Sequence, residues 1–418
     1  MHGDPQRQVG LLCKLQQTPP RRTLLSRRTS FDLLLRTLRL PMGSEIIMSG
    51  ITIKDMVKIA QFHGAAPVAV DLDFDSLAVD CGTLEAAITP RTKVIVIAHV
   101  FGVCNDLSTV CAVARRHGIV VVEDCAECFA GPPPKDAPQG FSNMHEGYTG
   151  HPEADLTLFS FGTIKTSTAF GACVASVRDG ALYDAMQKLH AQYTPRPRSV
   201  LAGRLMRYGA MHGLSTPMVY GAMVRAVEGT GFSWDELVTG AIRGFPGDDL
   251  VPLIRFAPST PLLAMLARRL RNFDGAYLQQ RVQAGWDAVA RLAALPEGYV
   301  AVPGTRANRH AFWLFPVLVP NPKSVCTAML AAGFDVTQGT SQLGPVSRYI
   351  APQYDTENFR RFFPHTSKRI MDGLVYLPVV AETSPTQLED MMTALRAAIA
   401  ASVEAGAPLL QQVAAAKL

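Results

Sequence analysis

The feature that most restricts this chain is an alternation, over residues 45–178, of short β-branched runs with stretches of helical spacing. Near-continuous apolar runs of strand length are buried on both faces, and helical segments between them build βαβ units and a mainly parallel sheet. Residues 67–71, 93–99, 119–124, 156–161 and 172–177 are such runs, and residues 84–88 and 107–116 carry helical spacing between them. An open sheet of this kind holds ligands at the carboxyl ends of its strands. His99, Asp124 and Ser160 stand at those ends.

The 418 residues exceed the roughly 250 to 300 at which single cores stop growing, so two domains are predicted. The first is a large α/β domain over residues 23–260, with a proline- and glycine-rich loop at 131–150 and a helical insert after residue 195. A long amphipathic helix over 262–295 then leads into a smaller α+β domain, residues 261–402. Its expected elements are a strand at 313–319, a helix at 324–332, a strand at 374–378 and a last helix at 384–400. An Ala-rich tail, 403–418, follows.

With 48% hydrophobic and 18% charged residues, the composition is that of a globular enzyme. A net charge of +5 without a basic stripe argues against nucleic acid. No apolar run reaches the roughly 18 residues of a spanning helix, so no membrane association is expected. Eight scattered cysteines fit reduced thiols and a cytoplasmic location. The first forty residues carry Arg7, Arg21, Arg22, Arg27, Arg28, Arg36 and Arg39 against only Asp4 and Asp32. Residues 1–22 therefore read as an N-terminal extension with the bias of an organelle transit peptide. Residues 30–40 read as the first helix, with Ser30 as N-cap and Phe31, Leu34, Leu35 and Leu38 on one face.

The run from Ile119 ends in Glu123 and Asp124, and charge at the end of a buried strand needs a partner. A protonated pyridine nitrogen is one such cation, and a carboxylate on it keeps the ring an electron sink. An N-cap or a salt bridge at a strand end is the plainer reading of the carboxylates. Lys165 follows the next strand, five residues after Ser160, among Ile164, Ala169 and Phe170. An ammonium in apolar surroundings gives up its proton more readily, which frees an amine to attack an aldehyde. A solvated lysine with a buried stem is the plainer reading of the same residue.

The ordered set resembles the DegT-type sugar aminotransferases, of the aspartate-aminotransferase fold type. The matching stretches are Gly43-Ser-Glu-Ile-Ile, Gly64 to Asp71, Leu84 to Lys93, His99-Val-Phe-Gly102, Glu123-Asp-Cys-Ala-Glu127 and Phe159-Ser-Phe161 with Lys165. His310 to Pro316 and Tyr376-Leu-Pro378 look like the family's small domain. The resemblance implies a seven-stranded-type sheet, pyridoxal 5′-phosphate as cofactor, and amino transfer from an amino acid donor to a keto acceptor, such as a nucleotide-linked keto sugar. It makes Lys165 the Schiff-base lysine and proton shuttle. Asp124 is then the partner of the pyridine nitrogen, Glu127 the residue beside the cofactor, and Ser160 a phosphate ligand. Thr29 and Ser30 match the turn whose N–H groups meet the phosphate, and Ile53 stands where many members place an aromatic ring on the cofactor. A homodimer follows from the same resemblance.

Two stretches depart from the family: Thr166 to Gly171 after the lysine, and Leu189 to Tyr193. They motivate an alternative, a cofactor-binding regulatory or inactive homologue. His190 and Tyr193 read as exposed helix residues. Cys125-Ala-Glu-Cys128 has the spacing of a redox pair or half a zinc site, but no second pair accompanies it and both cysteines fall inside the cofactor motif. No metal is therefore expected.

Overall fold

The computed structural model describes residues 22–24, 27–131, 147–214, 217–230, 250–339 and 341–410. Residues 1–21 of the expected N-terminal extension, residues 132–146 of the expected loop, and the end of the Ala-rich tail lie outside the described residues.

The central sheet has seven strands: β1 (Arg22–Leu24), β2 (Glu45–Ser49), β4 (Ala66–Val70), β5 (Thr92–Ala98), β7 (Val120–Asp124), β8 (Leu156–Phe161) and β9 (Ala172–Val177). Short strands outside it are β3 (Ile51–Ile53), β6 (Val103–Cys104), β10 (Arg309–His310), β11 (Pro316–Leu318), β12 (Leu343–Pro345) and β13 (Leu374–Tyr376). The spatial order is β1-β9-β8-β7-β5-β2-β4. Neighbours from β4 to β8 are parallel, and β9 and β1 are antiparallel to their neighbours. The α/β class and the mainly parallel sheet are thus present as expected. Runs rich in Val and Ile form these strands because they can be buried on both faces; every residue of β2 and β4 is buried.

The five strand runs fall within a residue or so of their expected bounds. The first helix does not. It runs Arg27–Leu38, so Ser30 is inside its first turn, 1% exposed, instead of capping it. Arg39, at φ 49°, ends the helix in the left-handed conformation common just past a helix terminus.

The single helix expected over 262–295 is two helices, Thr260–Arg271 and Gly275–Leu292. Asp274 explains the break: its carboxylate accepts the Tyr277 N–H at 3.0 Å and caps the second helix. Phe273 leaves the helical path to meet Phe129, ring centroids 5.5 Å apart. Helix Thr260–Arg271 buries Leu263, Leu266 and Ala267 with Phe129, Phe159 and Phe161 beside the sheet. Helices Gly275–Leu292, Pro322–Ala331 and Pro385–Glu404 share a second core with residues around β11 and β13. Ser384 and Gln387 form the reciprocal cap that starts the last helix. Of the strand expected at 313–319, only β11 pairs.

Among the described residues no helix is long and apolar enough to cross a membrane.

Candidate active site

The β7–β8 register assembles the site. Asp124 lies opposite Leu158 and Glu123 opposite Thr157. Alternate residues face opposite sides of a sheet, so Asp124, Leu158 and Ser160 share one face, while Glu123 and Thr157 share the other. Thr157 confirms this by donating its hydroxyl to Glu123 Oε2 at 3.1 Å. Ser160 stands two residues past Leu158, about 7 Å further along the strand at ~3.3 Å per residue. Asp124 is 1% exposed and accepts the Ala126 N–H at 3.2 Å.

Lys165 sits on the turn after β8. A Cβ added at Gly162 would stand 3.7 Å from Ser160 Oγ and 3.9 Å from Lys165 Cγ, so the hydroxyl and the lysine stem flank the glycine. Nζ lies 3.1 Å from Glu127 Oε1 and 3.6 Å from the centroid of the Trp313 ring. The other oxygen of Glu127 accepts the Phe101 N–H at 2.9 Å. Phe101 and Gly102 both have positive φ, and a side chain at Gly102 would meet the Trp313 backbone nitrogen at 2.5 Å. Glycine here lets the Trp313 segment close over the lysine. The Trp313 indole N–H donates to the Ile164 carbonyl at 2.9 Å and fixes the ring.

The apolar pocket expected around Lys165 is therefore corrected. Ile164 turns to solvent, 44% exposed, and Nζ meets a carboxylate and an indole face.

Thr29 and Ser30 are buried in the first turn of their helix, and the Thr29 hydroxyl donates to the Ile254 carbonyl. Their backbone N–H groups belong to the opening turn of that helix. That helix packs on β8 and β9. Ile53 is buried at the end of β3, opposite Leu343 of β12. The structure thus brings Lys165 and Glu127 into contact and sets Asp124 and Ser160 on one face.

Residues 26–203 match the model of the DegT/DnrJ/EryC1/StrS aminotransferase family. Over this stretch the chain is similar to that family. Over 85 residues, 20% of each chain, it is 44% identical to an L-glutamine:2-deoxy-scyllo-inosose aminotransferase of Streptomyces kanamyceticus. Over 97 residues it is 40% identical to a UDP-N-acetyl-3-dehydro-alpha-D-glucosamine 3-aminotransferase of Acidithiobacillus ferrooxidans, covering 23% of this chain and 26% of that one. The chain thus spans about a quarter or less of the length of these curated relatives. In fold it resembles the aminotransferase TlmJ from Streptoalloteichus hindustanus: TM-score 0.65, 16% identity, with 96% of this chain and 92% of that chain covered.

Several of the DegT-like stretches serve the fold. Glu45 is buried and takes Arg91 Nη2 at 2.7 Å and the Thr89 hydroxyl at 2.6 Å. Asp71 accepts the N–H groups of Thr366 and Ser367, at 2.6 and 2.8 Å, in the opening turn of helix His365–Gly373.

Of the two departing stretches, the first is held from outside. Arg204 donates to the Phe170 carbonyl at 2.8 Å and Arg281 Nη2 lies 3.4 Å from the Thr166 hydroxyl. In the second, His190 is buried and Tyr193 half-buried, against the exposed placement expected. Tyr193 donates to Asp32 Oδ2 at 3.2 Å, and Asp32 also meets Arg255 at 2.9 and 3.0 Å and His63 at 2.9 Å. Burial pushes the Asp32 carboxyl up, but His63 and Arg255 outweigh it and hold the group at about 2. Neither this network nor the Trp313 lid has a signal in the sequence, because its members come from distant segments.

Proposed function

We propose that this chain is a pyridoxal-phosphate-dependent aminotransferase that moves an amino group from an amino acid to a keto acceptor, with nucleotide-linked keto sugars as the acceptor class. The observation that carries the reading is the Lys165–Glu127 contact at the sheet edge, next to Asp124 and Ser160 on a single face. This donor set fits the cofactor. Asp124 is a buried carboxylate for a protonated ring nitrogen. Ser160 and the N–H groups of Thr29 and Ser30 are phosphate donors, a helix opening being suited to an anion. Lys165 is the amine for the aldehyde carbon.

When bound, the cofactor supplies an electron sink for the carbanion formed at the substrate Cα. The residues of this chain supply position and proton transfer. Lys165 Nζ is the group that takes and returns the proton. Glu127 aims it, because its second oxygen is tied to the Phe101 N–H and cannot swing away. Trp313 covers Nζ and keeps water from that side.

The acceptor class rests on the two curated relatives, whose names specify a keto cyclitol and a keto sugar on UDP. A homodimer belongs to the same reading. Exposed Val200, Leu205, Met206, Met218 and Val219 lie on the helices Arg198–Leu214 and Pro217–Glu228 and would be covered in it; light scattering that returned a monomer at working concentration would remove it.

The test uses purified full-length chain supplied with pyridoxal phosphate. Visible cofactor absorbance that shifts on adding L-glutamine or L-glutamate, followed by amination of a keto sugar nucleotide, is the expected result. If Lys165→Ala kept both absorbance and turnover, the assignment would fail. A second reading, cofactor binding without amino transfer, draws on the Trp313 ring standing 3.6 Å from Nζ. It predicts absorbance indifferent to every amino donor.

A further inference from the structure

Beyond Glu123, on the face of β7 opposite Asp124, a second group of donors converges. Cys111 lies on the helix Ser108–Arg116, and His151 and Glu153 lie in the segment that enters β8. One ligand atom of each stands within 4.8 Å of those of the other two. Cys111 Sγ is 3.5 Å from His151 Nδ1. A zinc ion that holds sulfur at about 2.3 Å and nitrogen at about 2.0 to 2.1 Å in a tetrahedron sets the two about 3.5 to 3.6 Å apart. These atoms already stand at the spacing of one tetrahedral edge.

The proton on the imidazole is placed to suit a metal. The Ser108 hydroxyl donates to Asp106 Oδ1 at 2.8 Å, so its oxygen is the acceptor in the 3.1 Å contact with His151 Nε2. Asp106 Oδ1 lies 3.5 Å from the same nitrogen. Nδ1 accepts the Glu153 N–H at 3.2 Å, which independently marks it as the nitrogen with the lone pair. A metal would take over that lone pair, while an acidic group behind the ring holds the far N–H, as it does for metal-bound histidines.

Charge and access agree with this. Cys111 is 3% exposed and His151 7%, whereas the Glu153 side chain is 42% exposed, so the cluster is walled by protein on one side and open to water on the other. Burial and the carboxylates of Glu123, Glu153 and Asp155 push the Cys111 thiol up to about 12, so a thiolate there needs a cation beside it. Arg115 pairs with Glu153, but its side chain is 64% exposed, and surface pairs of this kind are weak.

We propose that Cys111, His151 and Glu153 bind a thiophilic divalent cation, zinc by class, with water as the fourth ligand. The Cys111 thiol proton leaves to solvent as the sulfur–metal bond forms. Thiolate and carboxylate together neutralise the ion, and Arg115 turns to solvent. The helix Ser108–Arg116 packs on β7, so the ion ties that helix to the chain entering β8.

The experiment uses the full-length chain, stripped by a chelator, with Zn²⁺ or Co²⁺ alone as probe. Titration calorimetry should find about one high-affinity zinc per chain. Cobalt should give a sulfur-to-metal charge-transfer band together with the visible bands of four-coordinate geometry. Cys111→Ser should abolish the charge-transfer band and His151→Gln the binding, whereas Cys326→Ser, on helix Pro322–Ala331, should keep both. Asp106→Asn should weaken zinc by about 10- to 100-fold, as loss of a group behind a ligand does. Should the buried variants fail to fold, the exposed Glu153→Gln decides: weaker binding with the charge-transfer band retained is expected. A chain that takes up neither ion overturns the proposal, leaving a thiol–imidazole hydrogen bond alone. Uptake that none of these substitutions weakens places the ion elsewhere and overturns it too. None of these readouts involves amino transfer.

Discussion

Glu123 and Asp124 are adjacent in one strand, equally buried and equally acidic, yet they live in different chemical worlds. Asp124 faces the side where Ser160 and Lys165 gather. Glu123 faces His99, Thr157, His151 and Tyr148. The period of two along a strand separates them, and a one-residue slip of β7 would exchange their roles. One face of the strand carries the proposed cofactor contact, and the other is spent on the fold.

The comparison predicts opposite phenotypes, beginning with Lys165→Ala. Turnover should fall by about 10²- to 10⁴-fold or more, the range for a lost acid–base group, with thermal unfolding nearly unchanged. A parallel loss of stability would break the division between the faces. Glu123→Ala comes next and should act on folding: removing one partner of a buried charged network costs about 3–5 kcal/mol. Chemical denaturation should show it, while the protein that remains folded still binds pyridoxal phosphate.

Asp124→Asn should lower turnover by about 10- to 100-fold, the worth of a charged hydrogen bond at ~1.5–3 kcal/mol, and leave the denaturation midpoint in place. Ser160→Ala should weaken cofactor affinity by about two- to tenfold, one neutral hydrogen bond at ~0.5–1.5 kcal/mol, as read by equilibrium titration. The smallest effect concerns acid. Asp32 is held near 2 by His63 and Arg255, below its ordinary 3.8. A depressed carboxyl contributes stability above its unfolded value and loses it as pH falls toward the folded one. Circular dichroism should show that loss between about pH 4 and pH 2, a limb that Asp32→Asn should flatten.

The strands were legible because Val- and Ile-rich runs buried on both faces leave little choice of state, and Asp124, Ser160 and Lys165 were legible as the polar residues interrupting them. The helix break at Asn272 to Asp274 was not, since helical spacing continues through it and only the packing of Phe273 on Phe129 demands the turn. Trp313 was expected inside a strand and instead covers the lysine, because its place is set by Gly102, far away in the chain.

The three-residue strand β1 has a consequence for processing. Arg22, Thr23 and Leu24 pair with Val177, Ser176 and Ala175 of β9 and cover the outer edge of that strand. An open margin offers unpaired N–H and C=O groups to any other chain. Removal of residues 1–21 would leave this cover intact. A cut after Leu24 would turn β9 into an adhesive border, and the cost would be paid in aggregation long before any loss of catalysis.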